Sequence, residues 1–125
     1  MFKLPPLLIW RKKSLRALEK VFKTLNIKPK KILDVGCGAG VTIPLLKKYF
    51  PCAEIIGIDI SPKMLTYVKN KFPDINLSLM DFRKYKGSPD LIIGFYVFPF
   101  IEIDAIIKKL EELNPSYCIG ITYYN

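Results

Sequence analysis

Three acids and three glycines carry the chemistry that can be read in this chain. In "ILDVGCGAG", residues 32 to 40, an apolar run reaches Asp34 and then breaks at Gly36, Gly38 and Gly40. Glycine loses more conformational freedom on folding than any other residue, so this density implies a tight turn that a ligand approaches closely. The dinucleotide spacing G-x-G-x-x-G fails, because Val41 stands at the third glycine position. The P-loop fails as well, since no Gly-Lys-Ser/Thr follows. An acid directly before the glycines repels a phosphate but suits a ligand that carries an ammonium group.

Two further acids extend that ligand. Asp59 closes "EIIGIDI", where its two acceptor oxygens match the cis-diol of a ribose. Asp81 closes the run in "LSLMDF", where a carboxylate accepts from an exocyclic amine. Together the three acids and the glycine turn describe a pocket for a nucleoside with a cationic tail.

These acids share a site only if the elements before them lie side by side. "KKILDVG", "EIIGIDI", "INLSLMD", "DLIIGFYVF" and "YCIGITYYN" read as five strands, the first with little polar alternation, as expected of a strand buried on both faces. Helical patterns separate them. "SLRALEKVFKTLN" sets Leu15, Leu18, Phe22 and Leu25 on one stripe, with Ser14 as its N-cap. "VTIPLLKKYF" places Pro44 in a first turn, and "SPKMLTYVKNKF" opens with Ser61 as N-cap and Pro62 at the first helical position. "FRKYKGSP" is a short connector, and the last helix runs from about Asp104 to Leu113. Strands alternating with helices predict a parallel α/β sheet in a single domain spanning residues 1–125, with a basic N-terminal segment and helix over 1–29. In such a sheet ligands bind beyond the carboxyl ends of the strands, which is where all three acids fall.

"ILDVGCGAG", "IIGIDISPKML" and "LSLMDF" resemble motifs I, II and III of the class I S-adenosylmethionine-dependent methyltransferases, and "PDLIIGFYVFPFI" resembles the fourth. The resemblance runs from about Lys30 to Ile101. It implies a Rossmann-like open, mostly parallel five-stranded sheet of order 3-2-1-4-5 with helices on both faces. It also implies S-adenosyl-L-methionine as cofactor. Asp34, Gly36 and Gly38 then line its methionine moiety, with Cys37 and Gly40 completing the turn. Asp59 holds the ribose hydroxyls, Ile60 packs on adenine, Asp81 meets the adenine amino group and Phe82 flanks the ring. Gly94 in the fourth motif closes the candidate cofactor set. "LPPLLIW", "GFYVFPF" and "IIKKLEEL" are further similar to small archaeal-type protein lysine methyltransferases.

The acceptor is less legible. The N/D-P-P-Y/F signature of base-amine methylation is absent from "GFYVFPF". Its aromatics could instead cage an alkyl-ammonium, and Tyr96 is the candidate catalytic residue there. A macromolecular acceptor is expected, a protein lysine or an RNA; the alternative is a partner-binding subunit that keeps the cofactor fold without independent catalysis. The family's sixth and seventh strands are missing, so the fifth strand, with Tyr123 and Tyr124, is expected to be an open edge. Open edges are usually covered, which predicts a homodimer through that strand.

Composition removes other classes. The chain has 125 residues and no histidine, which excludes Ser-His-Asp and Cys-His catalysis and gives zinc poor ligands. Cys37, Cys52 and Cys118 show no CxxC spacing and predict reduced thiols in a cytoplasmic protein. The longest apolar runs are too short to span a bilayer. The net charge of +9 is uneven: residues 1–31 hold ten Lys/Arg against Glu19, whereas 32–125 hold ten of each sign. That segment is either a footprint for an acidic partner or a solvated lysine-rich face.

Overall fold

The computed structural model describes residues 7–10, 15–38, 40–95 and 97–121. Six strands, β1 (Leu7–Trp10), β2 (Lys31–Val35), β3 (Glu54–Asp59), β4 (Asn76–Leu79), β5 (Leu91–Phe95) and β6 (Tyr117–Ile121), form one sheet of order β1-β6-β5-β2-β3-β4. Every pairing is parallel. The helices are α1 (Leu15–Thr24), α2 (Ile43–Tyr49), α3 (Pro62–Lys71) and α4 (Ile103–Leu113), with 3-10 turns at Phe82–Lys84 and Phe98–Phe100.

The central strands are apolar at nearly every position because both faces of the sheet are covered. Ile32, Leu91, Ile93 and Ile119 pack with Leu18, Phe22, Ile43, Leu46 and Val68, which belong to α1, α2 and α3. Leu33, Val35, Ile92 and Cys118 pack on the opposite side with Phe82, Ile106, Leu110 and Leu113, from the first 3-10 turn and α4. Side chains alternate across a strand, so each strand feeds both layers. Burying one such Leu or Ile stabilises the fold by about 2 kcal/mol, and these two layers fix the strands that end at the acids.

The expected signals set the helix boundaries. Ser61 caps α3 by accepting from the Met64 N–H at 3.3 Å, with Pro62 in the first turn. Pro44 lies in the first turn of α2. Asn114 ends α4 in the left-handed region at φ 48°, and Pro115 follows. Ser14 and Tyr96 lie outside the described residues.

The five strands read from the sequence are present in the expected order, with a sixth added. "LLIW" is β1, and it pairs with β6 in register Leu7 to Cys118 through Trp10 to Ile121. The edge expected to be open is therefore covered by this chain's own N-terminal segment, which corrects the basis given for a dimer through it; Tyr123 and Tyr124 lie outside the described residues. No described helix is long and apolar enough to cross a membrane.

Deleting residues 1–10 uncovers the β6 edge. The expected result is a lower urea midpoint together with concentration-dependent association in sedimentation velocity. An unchanged midpoint and a monomer would show that β1 adds nothing to the fold.

Candidate functional site

The acids converge at the carboxyl rim of the sheet. Asp59 is the last residue of β3, and its carboxylate is held by two backbone turns. Oδ2 accepts from the Gly38 N–H at 2.8 Å and Oδ1 from the Ser61 N–H at 2.9 Å. A third bond, from the Cys37 N–H to the Ile58 carbonyl at 3.1 Å, draws the glycine turn against the end of β3. Each carboxylate oxygen of Asp59 keeps a lone pair, so the group is fixed in place and still able to accept two hydroxyls.

Gly36, Gly38 and Gly40 have φ of 63°, 51° and 77°, in the region that side chains disfavour. Their surroundings separate their roles. A Cβ on Gly36 would lie 2.6 Å from Val97 Cγ2, so this glycine lets the segment after β5 close over the turn. A Cβ on Gly40 would meet Phe72 and Ile43 at 3.1 and 3.3 Å. At Gly38 the nearest atom is the Gly36 carbonyl oxygen at 3.8 Å, so the space beside it is open. Gly94 has a packing role: Phe98 would lie 2.5 Å from its Cβ, which allows the second 3-10 turn to fold over the end of β5.

Asp34 lies in β2 beneath this turn and is 0% exposed. Thr42, at the N-cap of α2, makes no cap bond with its side chain and donates instead to Asp34 Oδ2 at 2.6 Å. Asp34 Oδ1 is buried and has no partner among the described residues. Burial pushes this carboxyl up to about 7, the Thr42 bond opposes that rise, and the negative charge of Asp59 adds to it. A buried acceptor of this kind, under an open glycine turn, is what a cationic ligand above it would satisfy. Burial also raises the Cys37 thiol to about 12, so it stays protonated and is no nucleophile.

A cleft of about 240 Å³ opens at this rim. Five of the residues expected at the site line it: Gly36, Asp59, Ile60, Asp81 and Phe82. Ile60 is 74% exposed and free to cover a flat ligand, whereas Phe82 is buried against Phe98 with ring centroids 5.9 Å apart. Phe82 therefore shapes the wall from behind. Sequence reasoning missed Thr42 and Arg83, and it placed Val97 and Phe100 in the acceptor segment "GFYVFPF" without assigning them to this cleft. Phe100 lines the cleft and is 87% exposed. Arg83 grips the acid expected to meet an amine: its Nε and guanidinium NH2 donate to Asp81 Oδ1 at 3.0 Å and Oδ2 at 2.6 Å, and its backbone N–H donates to Oδ1 at 2.8 Å. These bonds lower the Asp81 carboxyl to about 2. Asp81 thus serves as the cap of the 3-10 turn, and a ligand amine must share it with Arg83. The sequence "DFRK" held that signal, an arginine two residues after the acid at the start of a turn.

The residues present fit a nucleoside with a cationic tail: a fixed diol acceptor, an open space at Gly38 and an orphaned buried acid below it. The methyltransferase-domain family pattern matches residues 32–115, about two thirds of the chain. The chain belongs to the class I S-adenosylmethionine-dependent methyltransferase family. It is 38% identical over 81 residues to a trans-aconitate 2-methyltransferase from Methylobacterium radiotolerans, a match covering 63% of this chain and 31% of that one. A malonyl-[acyl-carrier protein] O-methyltransferase from Acetivibrio thermocellus is 33% identical over 86 residues, 65% of this chain and 30% of that one. Among solved structures, the plantazolicin methyltransferase BpumL, in complex with a pentazolic desmethylPZN analog and SAH, superposes with a TM-score of 0.66 at 25% identity over 86% of this chain and 44% of that one. The chain spans about a third of the length of the two curated relatives described.

The two glycines predict separable effects. Gly36→Ala is expected to cost more than about 2 kcal/mol in urea unfolding, from backbone strain plus the clash with Val97. Gly38→Ala is expected to cost about 1 kcal/mol while obstructing the ligand space. Equal costs at both positions would remove the distinction.

Proposed function

We propose that this chain binds S-adenosyl-L-methionine at the rim between β2 and β4 and takes part in methyl transfer. The observation that carries the reading is the Asp59 carboxylate, fixed by Gly38 and Ser61 at the end of β3 with lone pairs left for a diol. In this reading Asp59 holds the ribose, Ile60 covers the adenine, Gly36 and Gly38 border the methionine portion, and Asp34 supplies negative charge beneath its ammonium end. The cofactor supplies a sulfonium methyl that is already electrophilic, so positioning and exclusion of water carry the rate. Phe100, Ile60 and Val97 provide the apolar surround that excludes water.

Among the described residues the cleft presents no free base, which supports an acceptor that needs none. The chain has no histidine, Asp59 is tied to two backbone N–H groups and Asp81 to Arg83. An acceptor that arrives already deprotonated, such as a carboxylate, needs no base from these residues. The names of the two relatives, trans-aconitate and malonyl-carrier methyltransferases, support that reading. The macromolecular acceptors expected from the sequence form the second reading, supported by the exposed Phe100 at the cleft mouth. The three unpaired cysteines support a reducing, cytoplasmic setting.

Calorimetry with S-adenosylmethionine tests the site. Asp59→Asn is expected to weaken binding about tenfold or more while the protein stays folded by circular dichroism. Absence of binding to the unmodified chain at millimolar cofactor would sink the reading. Labelled cofactor offered with polycarboxylates, a protein extract and RNA in separate reactions identifies the acceptor class.

The pH dependence has a definite sign. A cationic ligand favours ionised Asp34, whose carboxyl otherwise sits at about 7. Affinity is therefore expected to rise from about pH 5.5 to pH 7.5, while the ligand ammonium stays largely protonated. Asp34→Asn should flatten that rise, and a slope unchanged by this substitution would assign it to another group.

A further inference from the structure

A second concavity, about 380 Å³ in volume, runs from the first 3-10 turn along α4. Its charged lining is five cations, Arg83, Lys84, Lys86, Lys108 and Lys109, and one carboxylate, Glu112. Arg83 lines this groove and the cofactor cleft alike, so the two share a wall.

The floor is organised by a buried lysine. Lys109 is 5% exposed, and its Nζ donates to the Tyr85 carbonyl and to Glu112 Oε2, both at 2.8 Å. A buried ammonium is stable only with such partners, and here they tie α4 to the turn that carries Asp81 and Phe82. Glu112 offsets Lys109 and Asp81 offsets Arg83. The side chains of Lys84, Lys86 and Lys108 are exposed and make no direct hydrogen bond or ion pair among the described residues, with Asp81 attracting Lys84 and Glu112 attracting Lys86 and Lys108 at longer range. Five cations share this concavity with one carboxylate, Glu112, which Lys109, Lys86 and Lys108 all attract, so positive charge remains in excess and draws an anion in. The volume is that of a small-molecule pocket. None of its lining residues is aromatic, so the stacking platform that single-stranded nucleic acids use is missing.

We infer that this groove holds the anionic end of an extended methyl acceptor, a phosphate ester or polycarboxylate whose other end reaches the cofactor cleft past Arg83. The inference rests on the proposed methyltransferase reading and names the substrate class for it. The groove meets the cleft at Arg83, which pairs with Asp81, so the acceptor has to be elongated, and Phe100 and Ile101 in the cleft offer its middle an apolar surface.

The test titrates the full chain with pyrophosphate and, separately, with citrate at low ionic strength, by calorimetry. Binding is expected for at least one probe, and the tighter one assigns the head group. The double variant Lys86→Gln/Lys108→Gln should weaken that binding about tenfold, with S-adenosylmethionine affinity unchanged. The control Lys20→Gln/Lys23→Gln, on α1 and outside the groove, should leave both unchanged. Equal weakening in the two variants, or no probe binding at millimolar concentration, overturns the groove. Tighter binding of an oligouridylate, lost in the groove variant and falling steeply with salt, overturns the small acceptor in favour of RNA. Loss of S-adenosylmethionine binding alone would count against the cofactor reading, while the probe titrations still report on the groove.

Discussion

The carboxylate of Asp59 joins two turns that leave neighbouring strands. One oxygen holds the Gly38 N–H of the turn after β2, and the other holds Ser61 at the start of α3. Both bonds are charge-assisted and made at backbone atoms, so they set the chain path itself and do not merely position side chains. The open space at Gly38 and the outward position of Ile60 follow from that path. At the opposite rim Asp90 does comparable work, with Oδ2 accepting from the Lys30 and Lys31 N–H groups at 2.8 and 3.0 Å. The sheet is thus stitched by a carboxylate at each end, and each borders a concavity, Asp59 the cleft at the carboxyl rim and Asp90 another beside Lys30 and Tyr117.

Beneath that stitch the site keeps a polar group in an unfavourable place. An apolar residue at position 34 would suit β2 better, since its neighbours Leu33 and Val35 are fully buried core. Asp34 instead takes the Thr42 hydroxyl away from capping α2 and leaves one oxygen unpaired. Buried groups left in this condition concentrate at functional sites, where a ligand completes them.

Much of this arrangement is legible in the sequence. The acids fell at strand ends because apolar runs stop where the chain leaves the core, and the glycines announced positive φ. The strand order came from family resemblance, since periodicity gives elements but no neighbours. "LLIW" escaped notice as a strand because four residues beside two prolines carry little pattern, and its partner stands more than a hundred residues away. Arg83 escaped because its meaning depends on the turn that folds it back onto Asp81. Gly36 and Gly38 look alike in sequence, and only the position of Val97 tells packing from access.

The all-parallel sheet has an electrostatic consequence. Every strand points the same way, so α3 and α4 both begin at the carboxyl rim and present the positive ends of their macrodipoles there. Each is equivalent to roughly half an elementary charge at the helix N-terminus. A fold of this kind by default attracts anions to the rim, the opposite of what a sulfonium requires. Asp34, Asp59 and Asp81 are therefore also counter-charges to the backbone, Asp81 being shared with Arg83. Stripped of them, the same rim would select phosphate.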